Sequence, residues 1–334
     1  AYVADRRAGQ PAVAPVPPVF EPQRTAALRT SAAAPASPVG TVTGYASASV
    51  SSLPSALPAF RPVIHRSGGA RIVAVTSGKG GVGKTNLTVN LAIALAREGQ
   101  RVIVIDADLG MANVDVVLGS VSKYHLMHLL QPDISLADVL IHGPYGVNYI
   151  SGGSAIERAV ELSAAERQQL MDKLTVCGEM ADIILVDTGA GLGQSVLDFI
   201  LAADEVLLVT TPEPTALTDA YAVMKAYSLH ADNKNLRIII NRVYDEAESR
   251  DVLTKLQRTA ERFLRMPLDT VGSVYEDRNV MHAVKRQSPL LAAYPDTLAA
   301  RCIEAIAKNL LYGGAHEVVW GWRGFLQRLL KFKD

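Results

Sequence analysis

A glycine-rich stretch with two lysines, SGKGGVGKTN at residues 77–86, has the residue types and spacing best suited to phosphate chemistry. It matches GxxxxGK[ST], follows an apolar run and opens a helical pattern, as a phosphate-binding loop does. Glycines let backbone N–H groups surround phosphate oxygens, while Lys84 would neutralise the β- and γ-phosphates and Thr85 would offer its hydroxyl to Mg²⁺. The predicted nucleotide contacts are Gly78, Lys79, Gly80, Gly81, Val82, Gly83, Lys84, Thr85 and Asn86.

Three aspartates follow two other apolar runs, at positions where neighbouring strands would end beside this loop. Asp187 ends the run in DIILVDT, and Asp106 and Asp108 end the run in RVIVIDADLG. Carboxylates beside a phosphate site hold Mg²⁺ or order water. We therefore predict a metal site formed by Thr85, Asp106 and Asp187, with Asp108 in a catalytic role. An aspartate at a strand end can instead cap a helix or a loop, and that alternative stays open.

Short runs rich in β-branched residues alternate with helical patterns between residues 70 and 312. Continuous apolar runs are typical of strands buried on both faces, and their alternation with helices predicts βαβ units with right-handed crossovers. We predict an α/β fold with a doubly wound, mostly parallel sheet and helices on both faces. The strand runs are RIVAVTS, RVIVIDA, VNYISGG, DIILVDT, EVLLVTT, LRIIINR and DTVGSVY, and the helical patterns are TNLTVNLAIALAREG, SAAERQQLMDKLTVCGEM, TALTDAYAVMKAYSLH and AESRDVLTKLQRTAERFL.

Residues 1–68 have a different composition and contain ten of the seventeen prolines, among many alanines and serines. Proline removes backbone donors and blocks helices, and the segment has few large apolar side chains to offset the entropy of ordering. We predict a disordered Pro/Ala/Ser-rich arm. The segment RTAALRTSAAA (24–34) is a candidate for a short helix on a partner, and a plain linker is the simpler alternative.

Residues 315–334 follow a Gly-Gly break and form an amphipathic helical pattern with basic residues. Aromatic anchors beside positive charges suit an anionic lipid surface. We predict a membrane-targeting helix, with packing on the folded domain or on a partner as the alternative. The predicted membrane contacts are Trp320, Trp322, Phe325, Leu326, Leu329 and Phe332.

The overall composition narrows the class of protein. Lysine plus arginine and aspartate plus glutamate both number 33, so the net charge is zero and no specific nucleic-acid partner is expected. The two cysteines, Cys177 and Cys302, form no CxxC pair, so no zinc or iron–sulfur site is predicted. No signal peptide or apolar run of roughly 18 residues occurs, and we expect a cytoplasmic protein.

The loop SGKGGVGKT resembles the deviant Walker A motif of the MinD/ParA class of P-loop ATPases, and the resemblance extends over residues 70–312. In that class the early lysine contacts nucleotide phosphates of the partner subunit. The resemblance assigns this role to Lys79, and it implies an ATP-dependent homodimer with ATP and Mg²⁺ as ligands. It also implies that Asp108 positions the hydrolytic water and that Asp187 is the Walker B aspartate.

Two further segments resemble the adenine side of that class. INRV, at residues 240–243, makes Asn241 a candidate for base recognition, and Tyr244 replaces the aspartate that a GTPase would carry, which favours ATP. The segment SVYEDRNVMHAVKRQSPL is similar to the part that closes over the base, with Glu276 and Asp277 as weaker candidates.

Within the class, DADLGMANVDVVLG, VDTGAG and INRV are most similar to the FlhG/FleN flagellar number regulators. This implies a slow, membrane-cycling ATPase at the inner face of the cell membrane. The implied partners are a signal-recognition-type flagellar GTPase or a flagellar transcription regulator, although PQRTAALR matches the usual GTPase-activating segment poorly. Alternatives are DNA or cargo partitioning, pilus or secretion-system positioning, and a non-hydrolysing adaptor. The iron–sulfur carriers of the class need a CxxC pair, which the chain lacks.

Overall fold

The structure is a computed structural model that describes residues 69–108, 113–120, 122–152, 163–231, 235–313 and 321–331. The arm predicted over residues 1–68 lies outside the described residues, and so do Trp320 and Phe332 of the predicted membrane helix.

Eight strands form one sheet in the order β3-β4-β2-β5-β1-β6-β7-β8. All neighbours are parallel except β3 and β4, which pair antiparallel at the edge. Because parallel neighbours all end at the same edge, the loops that follow β1, β2 and β5 meet there. The strands are β1 (Arg71–Ser77), β2 (Val102–Ala107), β3 (Ile141–His142), β4 (Val147–Ser151), β5 (Ile183–Ala190), β6 (Glu205–Thr210), β7 (Leu236–Val243) and β8 (Asp269–Tyr275).

Helices cover both faces of this sheet. The described α-helices are α1 (Lys84–Arg97), α2 (Asn113–Leu118), α3 (Leu136–Val139), α4 (Ala164–Thr175), α5 (Cys177–Met180), α6 (Gln194–Ala202), α7 (Pro214–His230), α8 (Glu246–Thr259), α9 (Arg278–Lys285), α10 (Leu290–Ala293), α11 (Leu298–Tyr312) and α12 (Gly321–Lys331). Short 3₁₀ segments lie at Leu126–Leu130 and Pro144–Gly146, and a π-helical turn, Ala260–Leu264, follows α8.

The alternation of side chains along the strands divides the core into two layers. In β1, Ile72 and Ala74 belong to the layer under α4 to α8 and α12, while Val73 and Val75 belong to the layer under α1 and α11. Such strands are apolar at every position because both faces are buried. The predicted doubly wound, mostly parallel α/β fold is confirmed.

Local differences from the predicted elements have simple causes. All seven apolar runs form strands, but β3 was not predicted because its two residues are too few to show a pattern. The pattern SAAERQQLMDKLTVCGEM divides into α4 and α5 at Val176. Helix α6 was also not among the predicted helices.

Candidate phosphate-binding site

The glycine-rich loop joins the end of β1 to the start of α1. Gly78 lies so close to α7 that an added Cβ would come within 2.3 Å of the carbonyl carbon of Asp219. Gly83 caps α1 with φ 93°, a left-handed conformation that other residues adopt only with strain, and an added Cβ would lie 2.6 Å from Asn241 Nδ2. The two glycines therefore allow a tight loop directly before the N-terminus of α1, where the free backbone N–H groups of a helix favour an anion.

Lys84 and Asp187 form a buried ion pair at the floor of the loop. Lys84 Nζ donates to Asp187 Oδ1 at 3.0 Å, and the side chains are 7% and 0% exposed. Thr88, one turn further along α1, donates from Oγ1 to the same carboxylate oxygen at 3.0 Å. One carboxylate oxygen thus receives two donors, from the loop lysine and from α1.

The other carboxylate oxygen fits a magnesium site. Asp187 Oδ2 is buried and has no hydrogen-bond partner among the described residues. Thr85 lies in the first turn of α1, half-buried, and the space where a Cβ would stand at Gly80 or Gly81 is open. Unpartnered buried acceptors are rare in folded proteins, and an oxygen of this kind is the ligand Mg²⁺ or its bound water prefers. The residues present therefore fit Mg²⁺ with a phosphate group.

Asp106 lies beside Asp187, since the two residues are paired in register between β2 and β5. Its two oxygens accept backbone N–H groups of Asp108 and Val114, each at 3.1 Å. Burial, with a contribution from the charge of Asp187, raises the pKa of Asp106 to about 7 although those two hydrogen bonds lower it. The geometry thus adds a loop-holding role to the predicted metal role: Asp106 ties α2 to the end of β2.

Asp108 is half-buried at the rim of the site. Asn113 Nδ2 donates to Asp108 Oδ2 at 3.2 Å, and an added Cβ at Gly189, in the segment after Asp187, would lie 3.7 Å from Asp108 Oδ1. Asp108 therefore faces the last residues of β5. This position is compatible with the predicted role in orienting water.

Lys79 does not share the surroundings of Lys84. Its Nζ donates to Glu213 Oε2 at 2.8 Å and to Thr215 Oγ1 at 2.9 Å, both at the start of α7. The side chains of Lys79 and Glu213 are 37% and 55% exposed. The hydrogen bond from Lys79 lowers the pKa of Glu213. One lysine of the loop thus faces inward and the other lies on the surface.

Asn241, a predicted base-side residue, supports the loop directly. Asn241 Nδ2 donates to the carbonyl oxygen of Val82 at 2.7 Å, and Asn241 Oδ1 accepts from the N–H of Arg242. Arg242 has φ 61° and pairs with Glu276 at 3.7 Å. Tyr244 is 81% exposed. Asn241 therefore contacts the loop through its amide nitrogen, while its amide oxygen bonds the next residue of its own segment.

Asp277 has a local role in this region. Its carboxylate caps α9 by accepting from the N–H of Asn279 at 2.8 Å. In this structure the carboxylate of Asp277 therefore serves as the N-cap of α9.

The face of α12 that was predicted to contact lipid is buried in the folded domain. Trp322, Phe325 and Leu326 are 3%, 1% and 2% exposed, and Leu329 is half-buried. Phe325 stacks on Trp322 and on Phe199 of α6, with ring centroids 5.3 Å and 6.3 Å away. For these residues the packing alternative describes this structure, because a groove of matching shape lies on the same chain.

Polar contacts and a glycine fix α12 in that groove. Trp322 Nε1 donates to the carbonyl oxygen of Leu174, and the N–H of Gly321 donates to Asp204 Oδ1 at 3.3 Å. An added Cβ at Gly178 in α5 would lie 3.0 Å from the Trp322 side chain. In the part of the chain that the structure describes, no helix is long and apolar enough to cross a bilayer.

Sequence reasoning did not identify three residues that contact the site lysines and Asp187. Thr88 lies four residues after Lys84, hence on the same face of α1, and that spacing was the available signal. Glu213 and Thr215 follow β6 in sequence, and only the sheet order brings them beside Lys79.

Three comparisons with known proteins all match this chain to one family. Residues 69–311 match the model of the ParA family described as "NUBPL iron-transfer P-loop NTPase". The antiactivator FleN of Pseudomonas aeruginosa is 40% identical over 240 residues, which cover 72% of this chain and 86% of FleN. The flagellum site-determining protein YlxH of Helicobacter pylori is 36% identical over 271 residues, which cover 79% of this chain and 91% of YlxH.

Solved structures share the fold as well. The septum site-determining protein MinD of Pyrococcus horikoshii, in complex with Mg-ADP, gives a TM-score of 0.58 at 26% identity and covers 74% of this chain and 98% of MinD. The description of the family mentions iron, but Cys177 is buried in one core layer and Cys302 packs against the other. The two cysteines thus lie on opposite faces of the sheet.

Proposed function

Because this chain belongs to the ParA/MinD family of P-loop NTPases, we propose that it is a slow ATPase that works as a dimerising switch. The observation that carries the proposal is the division between the two lysines of one loop. Lys84 is buried against Asp187, while Lys79 is exposed and bonded to side chains at the start of α7. A buried and a surface cation on one loop can serve two different phosphate groups.

Within one subunit, Lys84 and the loop N–H groups would bind the phosphates of ATP, the substrate. Thr85 and Asp187 would hold Mg²⁺, which supplies neutralisation of phosphate charge. Asp108 would orient the water whose oxygen forms the new bond to the γ-phosphorus, as the bond to the ADP oxygen breaks. The products are ADP and inorganic phosphate.

Between subunits, Lys79 would exchange Glu213 for the phosphates of the partner's nucleotide. The cost of leaving Glu213 is small, since both side chains are solvated and exposed ion pairs contribute little to stability. A charge-assisted contact with phosphate in a desolvated interface is stronger than the one it replaces. The nucleotide would therefore link two copies of the chain.

The tail would convert dimerisation into membrane residence. Each large apolar side chain of α12 gains roughly 2 kcal/mol from burial, so the helix leaves its groove only for another apolar surface such as lipid. Helix α6 connects the two regions, because it starts just after the segment that faces Asp108 and carries Phe199 under Phe325. Two released tails in one dimer would bind a membrane more strongly than one.

The biological output we propose is control of flagellar number or placement, supported by FleN and YlxH among the relatives. A signal-recognition-type flagellar GTPase or a flagellar transcription regulator would receive the signal. If the chain carries this function, deleting its gene changes the number or position of flagella, and a Lys84→Ala copy fails to restore them.

Sedimentation with ATP and Mg²⁺ tests the switch. Wild-type protein should dimerise and turn ATP over, Lys79→Ala should bind ATP but stay monomeric, and Asp108→Ala should remain a dimer because hydrolysis is blocked. A monomeric Asp108→Ala protein in ATP would contradict the model. Absence of turnover in wild type, with liposomes present, would support the adaptor alternative.

Vesicle co-sedimentation tests release of the tail without altering the tail. Gly178→Leu should raise binding to anionic vesicles in the absence of nucleotide, since the new side chain occupies the position of Trp322. Val176→Leu, on an exposed neighbouring position, serves as the matched control. Equal binding of both variants and wild type would argue against a releasable membrane helix.

A further inference from the structure

The hydroxyl of Thr88 contacts Asp187, but the proposed ATPase mechanism gives Thr88 no role. Thr88 is fully buried in α1, and its Oγ1 lies 3.0 Å from the carbonyl oxygen of Lys84 and 3.0 Å from Asp187 Oδ1. A helical threonine often bonds the carbonyl four residues before it. The second acceptor, a buried carboxylate on another element, goes beyond that local contact.

The contact with Thr88 distinguishes the carboxylate oxygen of Asp187 that accepts hydrogen bonds from the one that does not. Rotation about the last side-chain bond of an aspartate is soft, so the carboxylate keeps one orientation only if donors hold it. Lys84 Nζ and Thr88 Oγ1 both donate to Oδ1, and Oδ2 has no partner among the described residues. The two oxygens of one side chain are therefore inequivalent.

The two donors differ in what they can do next. Lys84 is on the loop and would turn toward phosphate when nucleotide binds, which removes a donor from Oδ1. Thr88 lies on a regular helix between the buried side chains of Leu87 and Val89, so its Oγ1 stays beside Asp187 Oδ1 and shares its one proton only with the carbonyl oxygen of Lys84 among the described residues. After Lys84 moves, Thr88 is the donor that remains on Asp187 Oδ1.

We propose that Thr88 is a positioning residue that holds the Asp187 carboxylate with Oδ2 directed to Mg²⁺ or to a water in its shell. The proposal rests on the proposed function of this site. Groups that orient a metal ligand through a hydrogen bond commonly change metal affinity by about 10- to 100-fold when removed.

Binding of a fluorescent ATP analogue, titrated with Mg²⁺ and repeated in EDTA, tests this role. Thr88→Val should weaken binding in Mg²⁺ by about tenfold, shift the Mg²⁺ midpoint upward and leave binding in EDTA unchanged. Thr88→Ser, which keeps the hydroxyl, should restore the wild-type midpoint. Thr175→Val is the matched control, because the Thr175 hydroxyl makes the same helical bond, to the carbonyl of Met171.

A Thr88→Val protein with the wild-type Mg²⁺ midpoint would overturn the inference, and so would an equal loss of affinity in EDTA, which indicates a purely structural role. Should Thr88→Val fail to fold, Thr88→Ala enters the same comparison. A wild-type protein that binds no Mg²⁺–nucleotide would overturn the proposed function together with the inference, whereas a change confined to Thr88 variants separates the two.

Discussion

The two edges of the sheet are built differently. At the carboxyl-end edge, Lys79 is held by two exposed polar contacts, Lys84 pairs with Asp187, and one oxygen of Asp187 has no partner among the described residues. The helix α12 is instead held by aromatic packing, since Phe325 stacks on Phe199 and Trp322. At the amino end of β1, Arg71 and Arg237 pair with the fully buried Glu205.

This difference separates polar contacts, which can exchange one partner for another, from the helix α12, which must be displaced as a unit. A surface ion pair or a single hydrogen bond exchanges one partner for another at little cost. A helix with several buried apolar side chains leaves its groove only when all of them find a new apolar environment. The exposed contact of Lys79 at the nucleotide edge is thus suited to frequent exchange, and the α12 groove to an infrequent, all-or-none release.

The largest expected effect is on the α12 side. Phe325→Ala should lower the free energy of unfolding by about 3–5 kcal/mol, as for large buried side chains in general, because it leaves a cavity between α12 and α6. Thermal and denaturant unfolding measure this loss. Arg323→Ala, at an exposed position of the same helix, should change stability by less than about 0.5 kcal/mol. Equal stability of Phe325→Ala and wild type would mean that α12 is not docked.

A smaller effect is expected at Asp106, and it depends on pH. The pKa of Asp106 in the folded state, about 7, lies above its ordinary value of 3.8, so the folded state binds more protons between these pH values and this residue's contribution to stability falls as pH rises toward 7. The size is on the order of 1–4 kcal/mol. The stability of wild type relative to Asp106→Asn should therefore decrease from pH 5 to pH 7.5. A pH-independent difference would show that Asp106 is ionised throughout.

Asn241→Ala should have an effect of about 1 kcal/mol, the usual size for one intramolecular hydrogen bond. Loss of the contact with Val82 should weaken ATP and GTP binding to the same degree, because the loop and not the base is disturbed. Competition binding with the two nucleotides measures the ratio. A selective loss of ATP binding would instead support the predicted role of Asn241 in base recognition.

Glu213→Gln should have the smallest effect. Its contact with Lys79 is exposed, so thermal unfolding should not distinguish this variant from wild type. A clear decrease in melting temperature would mean that this ion pair is structural, and the distinction between an exchangeable and a fixed edge would be lost for Lys79.

Much of the architecture could be predicted from local patterns. The strand runs are continuous and apolar because both faces are covered, and the glycine-rich loop is recognisable because its function depends on neighbouring residues in sequence. Contacts such as Thr88 with Asp187 or Lys79 with Glu213 join residues about 100 or more positions apart. Only the order of strands in the sheet brings such pairs together, and no single-sequence pattern encodes it.

By itself, the sequence determined the class of fold, the phosphate-binding loop with its two lysines and the amphipathic character of the last helix. It could not determine what covers that helix, since lipid and a protein core select the same apolar stripe. The tertiary structure decided this by placing Phe199 and Gly178 where Phe325 and Trp322 pack. It also decided that Lys84 is buried and Lys79 is not, because burial depends on which distant elements the fold places against each side chain.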